Sequence, residues 1–237
     1  MVIFDREILS RRTPNGMNNS NGRIACVIFD MDGTLTKTNE LIFESFNHVI
    51  EKHAGKRLSP VEIVALFGPP EEGGLAKVVG KKAAGRAMDE LCEYYRKHHG
   101  RLASLHPGIE DILQFLKDRG VKLAIFTGKG KRTTEITLQE LKIAHYFDLV
   151  VSGSDVLNHK PHHEGITRVI ESLSINPDDV LMVGDAVSDV EASRGARVKV
   201  AAVVWDSYDR ERVLQADADY VFHSVNEMFD WFKAHIN

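Results

Sequence analysis

The chain has 237 residues, 43% hydrophobic and 27% charged, a globular composition that excludes disordered tails, collagen and disulfide miniproteins. With 30 Lys and Arg against 34 Asp and Glu, the net charge of -4 offers no global field for nucleic acid or an acidic membrane surface. The length suits a core domain plus a smaller inserted module.

In chain order, residues 1–22 are polar and broken by Pro14, Gly16 and the Asn-rich Asn18 to Asn21, which predicts an extension with Met17 as an alternative start. From Arg23 the texture changes: Ile24 to Phe29 is a continuous apolar run of strand length, as in a parallel sheet buried on both faces. Similar runs recur at Val121 to Thr127, Phe147 to Ser152, Val180 to Val183, Val198 to Val204 and Tyr220 to Phe222. Helical patterns separate them: Gly108 to Arg119, stopped by Gly120, then Pro161 to Leu173, and Ser224 to His235 opened by a Ser224/Glu227 capping box. Alternating strand and helix predict an α/β fold, a doubly wound parallel sheet with helices on both faces.

Between the first two strands lie about 90 residues, where a simple crossover needs only about 12. The insert reads as all helix. Leu41, Ile42, Ser45, Phe46, Val49 and Ile50 make one apolar stripe, Ser59 and Pro60 open a capped helix, and a long helix covers roughly Ala83 to His99. Phe67 to Gly74, with Pro69-Pro70 and Gly73-Gly74, is expected to be loop. The expected division is residues 1–22 as extension, 23–36 and 105–237 as core, and 37–104 as a helical cap.

The sharpest chemical signal is Asp30-Met31-Asp32-Gly33-Thr34-Leu35, directly after the first strand. Two close carboxylates repel, so keeping both ionised needs a cation or a shifted pKa; the bland reading is a turn with capping aspartates. A second acidic pair, Asp185 and Asp189, follows the strand Val180 to Val183. A helix start there could explain Asp189 by its dipole alone, but not Asp185. Four acids at two strand ends suit Mg²⁺.

Thr127-Gly128 offers a hydroxyl and free N–H groups at a strand end, a phosphate-binding arrangement that is weak by itself. The following Gly128-Lys129-Gly130-Lys131-Arg132-Thr133 matches neither nucleotide-loop spacing and is discounted. Lys160 before Pro161 places a cation at an expected helix start, unfavourable unless an anion lies near, the alternative being a solvated loop lysine. His159, His162 and His163 fit no zinc spacing and read as loop histidines. Cys26 and Cys92 lie in apolar stretches far from metal-ligand spacing, and no apolar run reaches the ~18 residues of a membrane span. The N-terminus lacks the apolar core of a secretion signal, so a cytoplasmic protein is expected.

In this order the four segments resemble the motifs of the haloacid dehalogenase-like hydrolase superfamily, over nearly all of residues 24–223. The insert is similar to the small helical cap of the phosphoglycolate phosphatase and β-phosphoglucomutase branch. Thr38 to Ile42 with Ser45-Phe46 looks, more softly, like the cap start of pyrophosphatase-type members. The resemblance implies a Mg²⁺-dependent phosphatase for a small phosphorylated metabolite, with Asp30 as nucleophile and Asp32 as acid and base. It implies Met31, Asp32, Thr127, Gly128 and Lys160 around the phosphate. Asp30, Asp185 and the Asp32 carbonyl would hold the metal, with Asp189 behind them or bound through water.

A phosphomutase is the alternative reading, and a non-catalytic binding module of this fold a further one. Asp32 disfavours the dehalogenating members, and the absence of a Gly-rich loop after the first strand disfavours dinucleotide binding. A monomer or weak homodimer is expected, with no nucleic-acid or membrane partner.

Overall fold

The computed structural model describes residues 23–236; the expected N-terminal extension and the alternative start at Met17 lie outside them. The first run forms β1 (Cys26–Phe29), followed by the short β2 (Thr36–Lys37). Four helices come next: α1 (Asn39–Ala54), α2 (Pro60–Val64), α3 (Glu71–Val79) and α4 (Lys81–Leu102). The chain returns through β3 (Ser104–Leu105), antiparallel to β2. The alternating part then runs α5 (Ile109–Asp118), β4 (Lys122–Phe126), α6 (Lys131–Glu140), β5 (Leu149–Val151) and α7 (Glu164–Leu173). It closes with β6 (Val180–Gly184), α8 (Val187–Ala196), β7 (Lys199–Val203), α9 (Arg210–Gln215), β8 (Tyr220–Phe222) and α10 (Val225–His235).

All six expected strands pair in one parallel sheet of order β5-β4-β1-β6-β7-β8. Alternation along the strands divides the core. Val27, Phe29, Leu123, Ile125, Leu181 and Val183 face α5 and α10, whereas Cys26, Ile28, Ala124, Phe126, Val180 and Met182 face α7 and α8. Both faces are buried, which is why the strands read as continuous apolar runs rather than alternating ones. The order reverses at β1: the chain moves outward through β4 and β5, then crosses to β6 on the other side, making the β1 terminus a switch point.

The helices between β2 and β3 bury a separate apolar cluster. The α1 stripe Leu41, Phe46, Val49 and Ile50 packs with Ile63, Leu75, Met88, Leu91 and Tyr95, joined by Ile136 of α6. Ser59 caps α2 with Pro60 in its first turn, as expected, and Glu62 completes the capping box. The two cysteines lie in different clusters, Cys26 under the sheet and Cys92 in the insert, both as free thiols. Among the described residues, no helix is long and apolar enough to cross a membrane.

Three expectations are corrected. Residues 71–74 are not loop: the preceding helix has ended at Val64, and Pro70 takes an extended conformation from which α3 starts at once. Each glycine inside α3 costs about 1 kcal/mol of helix propensity. At Gly74 the missing side chain lets the helix lie against Leu66, whose carbonyl would be 3.2 Å from an added Cβ. The α7 helix starts at Glu164 rather than Pro161, because the Glu164 carboxylate accepts the N–H groups of Leu157 and Asn158 and holds the preceding residues as a loop. At α10 the Ser224 hydroxyl caps Glu227 as expected, but Glu227 reaches the His223 N–H instead of closing a capping box.

Gly165 packs α7 onto the sheet with no room for a side chain, since an added Cβ would collide with the Phe126 ring. Gly165→Ala should therefore lower the unfolding free energy by about 1–3 kcal/mol, read from the urea midpoint at unchanged slope. A wild-type midpoint would mean that α7 does not seat on Phe126 as described.

Candidate active site

The C-terminal ends of the adjacent strands β4, β1 and β6 deliver Thr127, Asp30 and Asp185 to one edge of the sheet. After Asp30 the chain turns sharply: the N–H groups of Leu35 and Thr36 both donate to the Met31 carbonyl, and Gly33 adopts φ +80°. Gly33 is required twice over, because a Cβ there would also run into the Asp185 carboxylate. Gly184 meets the same demand on the other strand, where an added Cβ would collide with Asp189.

Three buried carboxylates converge. Oxygens of Asp30, Asp185 and Asp189 lie within 4.8 Å of one another, forming the one group of three possible metal ligands among the described residues. Lys160 is placed between them, its ammonium donating to Asp30 Oδ1 at 2.9 Å and lying 2.5 Å from Asp189 Oδ1. The Lys160 side chain is only 8% exposed and packs 4.7 Å over the Phe126 ring. The expected reason for Lys160, a helix start at Pro161, does not hold; the anions beside it are Asp30 and Asp189. Asp185 accepts from the Thr34 hydroxyl at 3.0 Å, and Asp189 accepts the Ala186 N–H from the first turn of α8.

One ammonium among three carboxylates leaves a strong local excess of negative charge in a low dielectric. Burial first, and the neighbouring Asp189 charge against the opposing Lys160, push the Asp30 carboxyl up to about 6. Burial and the charge of Asp30 raise Asp185 well above the usual carboxylate range. For Lys160, burial would lower the ammonium, but Asp189 and Asp30 outweigh it and hold it above its ordinary value. A hard divalent cation would relieve this imbalance, and the all-oxygen donor set fits Mg²⁺.

Asp32 does not join this cluster. Its carboxylate turns toward the insert, accepting from the Thr38 hydroxyl at 2.5 Å on Oδ1 and from the Lys129 ammonium at 3.2 Å on Oδ2. Lys129 is 3% exposed, lies 3.9 Å from Glu71 and sits 4.6 Å over the Tyr95 ring. Burial would lower its ammonium, but Asp32, Tyr95 and Glu71 outweigh that and raise it. Thr127 is buried and its hydroxyl accepts the Lys129 N–H, while Gly128 lies open at the strand end. The Met31 side chain is fully buried with the sheet core, so only its backbone faces this edge.

A cavity of about 200 Å³ lies over these groups, floored by Asp30, Asp185, Thr127 and Lys160 and roofed by Asn39, Phe46, Phe67 and Glu71 of the insert. Tyr208 closes one side, its ring 5.6 Å from Phe43 of α1. The histidines stay outside the carboxylate group, His162 stacked on His163 and His163 bonded to Thr167.

Sequence reasoning missed Lys129, Glu71 and Thr38. Lys129 carried a usable signal, a lysine two residues past the strand-end threonine. Glu71 carried none, because its partner Gly130 lies 59 residues away.

Residues 27–203 match the family profile described as haloacid dehalogenase-like hydrolase. A pyrophosphatase PpaX from Bacillus cereus strain B4264 is 32% identical over 210 residues, 87% of this chain and 95% of that protein. Among solved structures, a Thermotoga maritima protein carrying a β-phosphoglucomutase name is 30% identical with a TM-score of 0.70, covering 88% of this chain and 98% of its own. A predicted phosphoglycolate phosphatase from Haemophilus somnus 129pt superposes with a TM-score of 0.76 at 21% identity, covering 89% and 97%. Sequence order, sheet order and these matches agree, and the chain belongs to the haloacid dehalogenase-like hydrolase family.

Proposed function

We propose that this protein is a Mg²⁺-dependent phosphatase acting on a small phosphorylated metabolite, with pyrophosphate and phosphoglycolate as first candidates. The reading is carried by the Asp30 carboxylate, which follows the central strand at the floor of the cavity together with the Lys160 ammonium and the Asp185 and Asp189 carboxylates. In this reading Asp30, Asp185 and the Asp32 backbone carbonyl hold the metal, which when bound offsets the charge between an anionic nucleophile and an anionic phosphate. An Asp189 oxygen lies within 4.8 Å of those of Asp30 and Asp185, so it serves as a ligand or as the group that fixes Lys160.

The chemistry assigned to the chain is a double displacement. An Asp30 oxygen attacks phosphorus, the bond from phosphorus to the leaving oxygen breaks, and Asp32 donates its proton to that oxygen. Water then attacks the aspartyl phosphate, Asp32 takes its proton, and phosphate leaves with Asp30 regenerated. Thr127, the Gly128 N–H and Lys160 surround the transferring oxygens, with the Met31 and Asp32 backbone completing the cradle. Residues 37–104 act as a cap hinged at the β2–β3 neck, which shields the first displacement from bulk water and opens to admit the water of the second.

Mutase chemistry is the second reading, favoured by the Thermotoga likeness. Against it, the insert side of the cavity is lined by Asn39, Ile42, Phe46, Leu66, Phe67 and Glu71, with no Lys or Arg to hold the far phosphoryl group of a sugar bisphosphate. The free thiols of Cys26 and Cys92 accord with a reducing, cytoplasmic setting.

In a panel of pyrophosphate, phosphoglycolate and sugar phosphates, phosphate release should require Mg²⁺, and Asp30→Asn should lower it by about 10³-fold or more. Near-wild-type turnover by that variant would remove Asp30 as nucleophile.

Metal binding should also show in stability, with a defined sign. The folded-state Asp30 carboxyl lies at about 6, above its ordinary 3.8, so its contribution to metal-free stability is present below the ordinary value and is lost as pH rises through 6. Mg²⁺ competes with those protons. At a hundred times its dissociation constant it should add about 2.7 kcal/mol at pH 8 and less at pH 5, by thermal or urea unfolding against a chelator control. Equal gains at both pH values would count against the carboxylate cluster as the site.

A further inference from the structure

Asp32 is the one carboxylate at this edge held from the insert side as well as from the core. Its core partner, Lys129, has a side chain only 3% exposed, so its position is set by its neighbours. Two of those neighbours, Glu71 on α3 and Tyr95 on α4, belong to the insert. Glu71 does more than approach the ammonium. Its carboxylate accepts the Gly130 N–H at 2.7 Å and the Thr133 hydroxyl, capping the start of α6 from across the insert–core boundary. Gly130 leaves room for this contact, because an added Cβ would overlap the Glu71 carboxylate and touch Pro70. Tyr95 is tied to the same core helix by a 3.0 Å hydrogen bond between its hydroxyl and that of Thr137.

We propose that Lys129 is a positioning residue for Asp32, seated by Glu71 and Tyr95, so that the acid–base carboxylate is aimed only when the insert lies against α6. This rests on the phosphatase reading above and adds to it the residues that couple insert docking to proton transfer. The physical logic is charge balance. With the insert docked, the Lys129 ammonium is flanked by Glu71 and Asp32, and the Asp32 carboxylate is pinned between Lys129 and Thr38. With the insert withdrawn, Lys129 loses Glu71 and the face of Tyr95, and Asp32 loses a fixed partner.

A positioning role through Asp32 has a signature that a merely structural role lacks: its loss should matter in proportion to how much the leaving oxygen needs a proton. Lys129→Met should reduce kcat about 100-fold on an alkyl phosphate, the low end of what acid–base assistance supplies, with KM little changed. On p-nitrophenyl phosphate, whose leaving group needs almost no protonation, the loss in kcat/KM, which reports only the first displacement, should stay within about tenfold. In an Asp32→Asn background Lys129→Met should cost nothing further, since both changes remove the same function. Lys129→Arg should recover part of the alkyl phosphate rate. Gly130→Ala, which removes no charged group, should show the same leaving-group dependence by displacing Glu71.

Equal losses in kcat/KM on both substrates, or multiplicative losses in the double variant, would overturn the proposal, as would full alkyl phosphate activity in Lys129→Met. If the wild type releases no phosphate from any ester in Mg²⁺, the phosphatase reading fails and this inference with it. If the wild type is active, Asp30→Asn is dead and the leaving-group dependence is absent, the inference alone fails.

Discussion

Three carboxylates buried within 4.8 Å of one another, with one ammonium between them, set the terms for the rest of the molecule. Like charges at that spacing in a low dielectric repel strongly enough to drive protons onto them. The fold keeps them together by placing each at a rigid point: two at the ends of adjacent parallel strands, the third in the first turn of α8, where the helix dipole and the Ala186 N–H favour it. Gly33 and Gly184 leave the space that these side chains occupy. The resulting excess of negative charge suits a hard cation, and under the proposed function that cation together with Lys160 would receive the phosphate.

The insert is built as a separate small core, yet it is not independent of the sheet. Its neck is the two-residue pairing of β2 with β3, and its cluster draws Ile136 from α6. The same helix receives Glu71 at its N-terminus and Tyr95 along its side, so α6 is the element across which insert and core meet. The cavity takes its polar floor from the core and its mostly apolar roof from the insert. Under the proposed function, chemistry falls to the core and selectivity to the insert.

The six strands, the insert and the acidic ends of β1 and β6 were legible in the sequence because each is a local property. Continuous apolar runs announce strands buried on both faces; Gly120 marks the end of α5 with φ +70°; Ser59-Pro60 announces α2. The family resemblance added expected roles to Asp30, Thr127, Lys160 and Asp185 that spacing could not assign; Thr127, Asp30 and Asp185 converge because strands β4, β1 and β6 are neighbours, and the loop between β5 and α7 brings Lys160 to them. Where prediction failed, a distant contact had overruled a local rule. Two prolines and two glycines argue for loop at 67–74; residues 67–70 are loop, but packing of Gly74 on Leu66 lets α3 form through Gly73 and Gly74.

The sequence by itself determined the alternation of the sheet, the size of the insert and the identity of the residues at the strand ends, since periodicity and turn chemistry act over a few residues. Only the tertiary structure decided which way each carboxylate faces. Asp30 and Asp32 are two positions apart, yet one joins Asp185 and Asp189 while the other turns to Lys129, 97 residues away, and to Thr38 at the insert's first helix. Partners that distant are chosen by burial and charge compensation across the folded chain, and no local pattern records them.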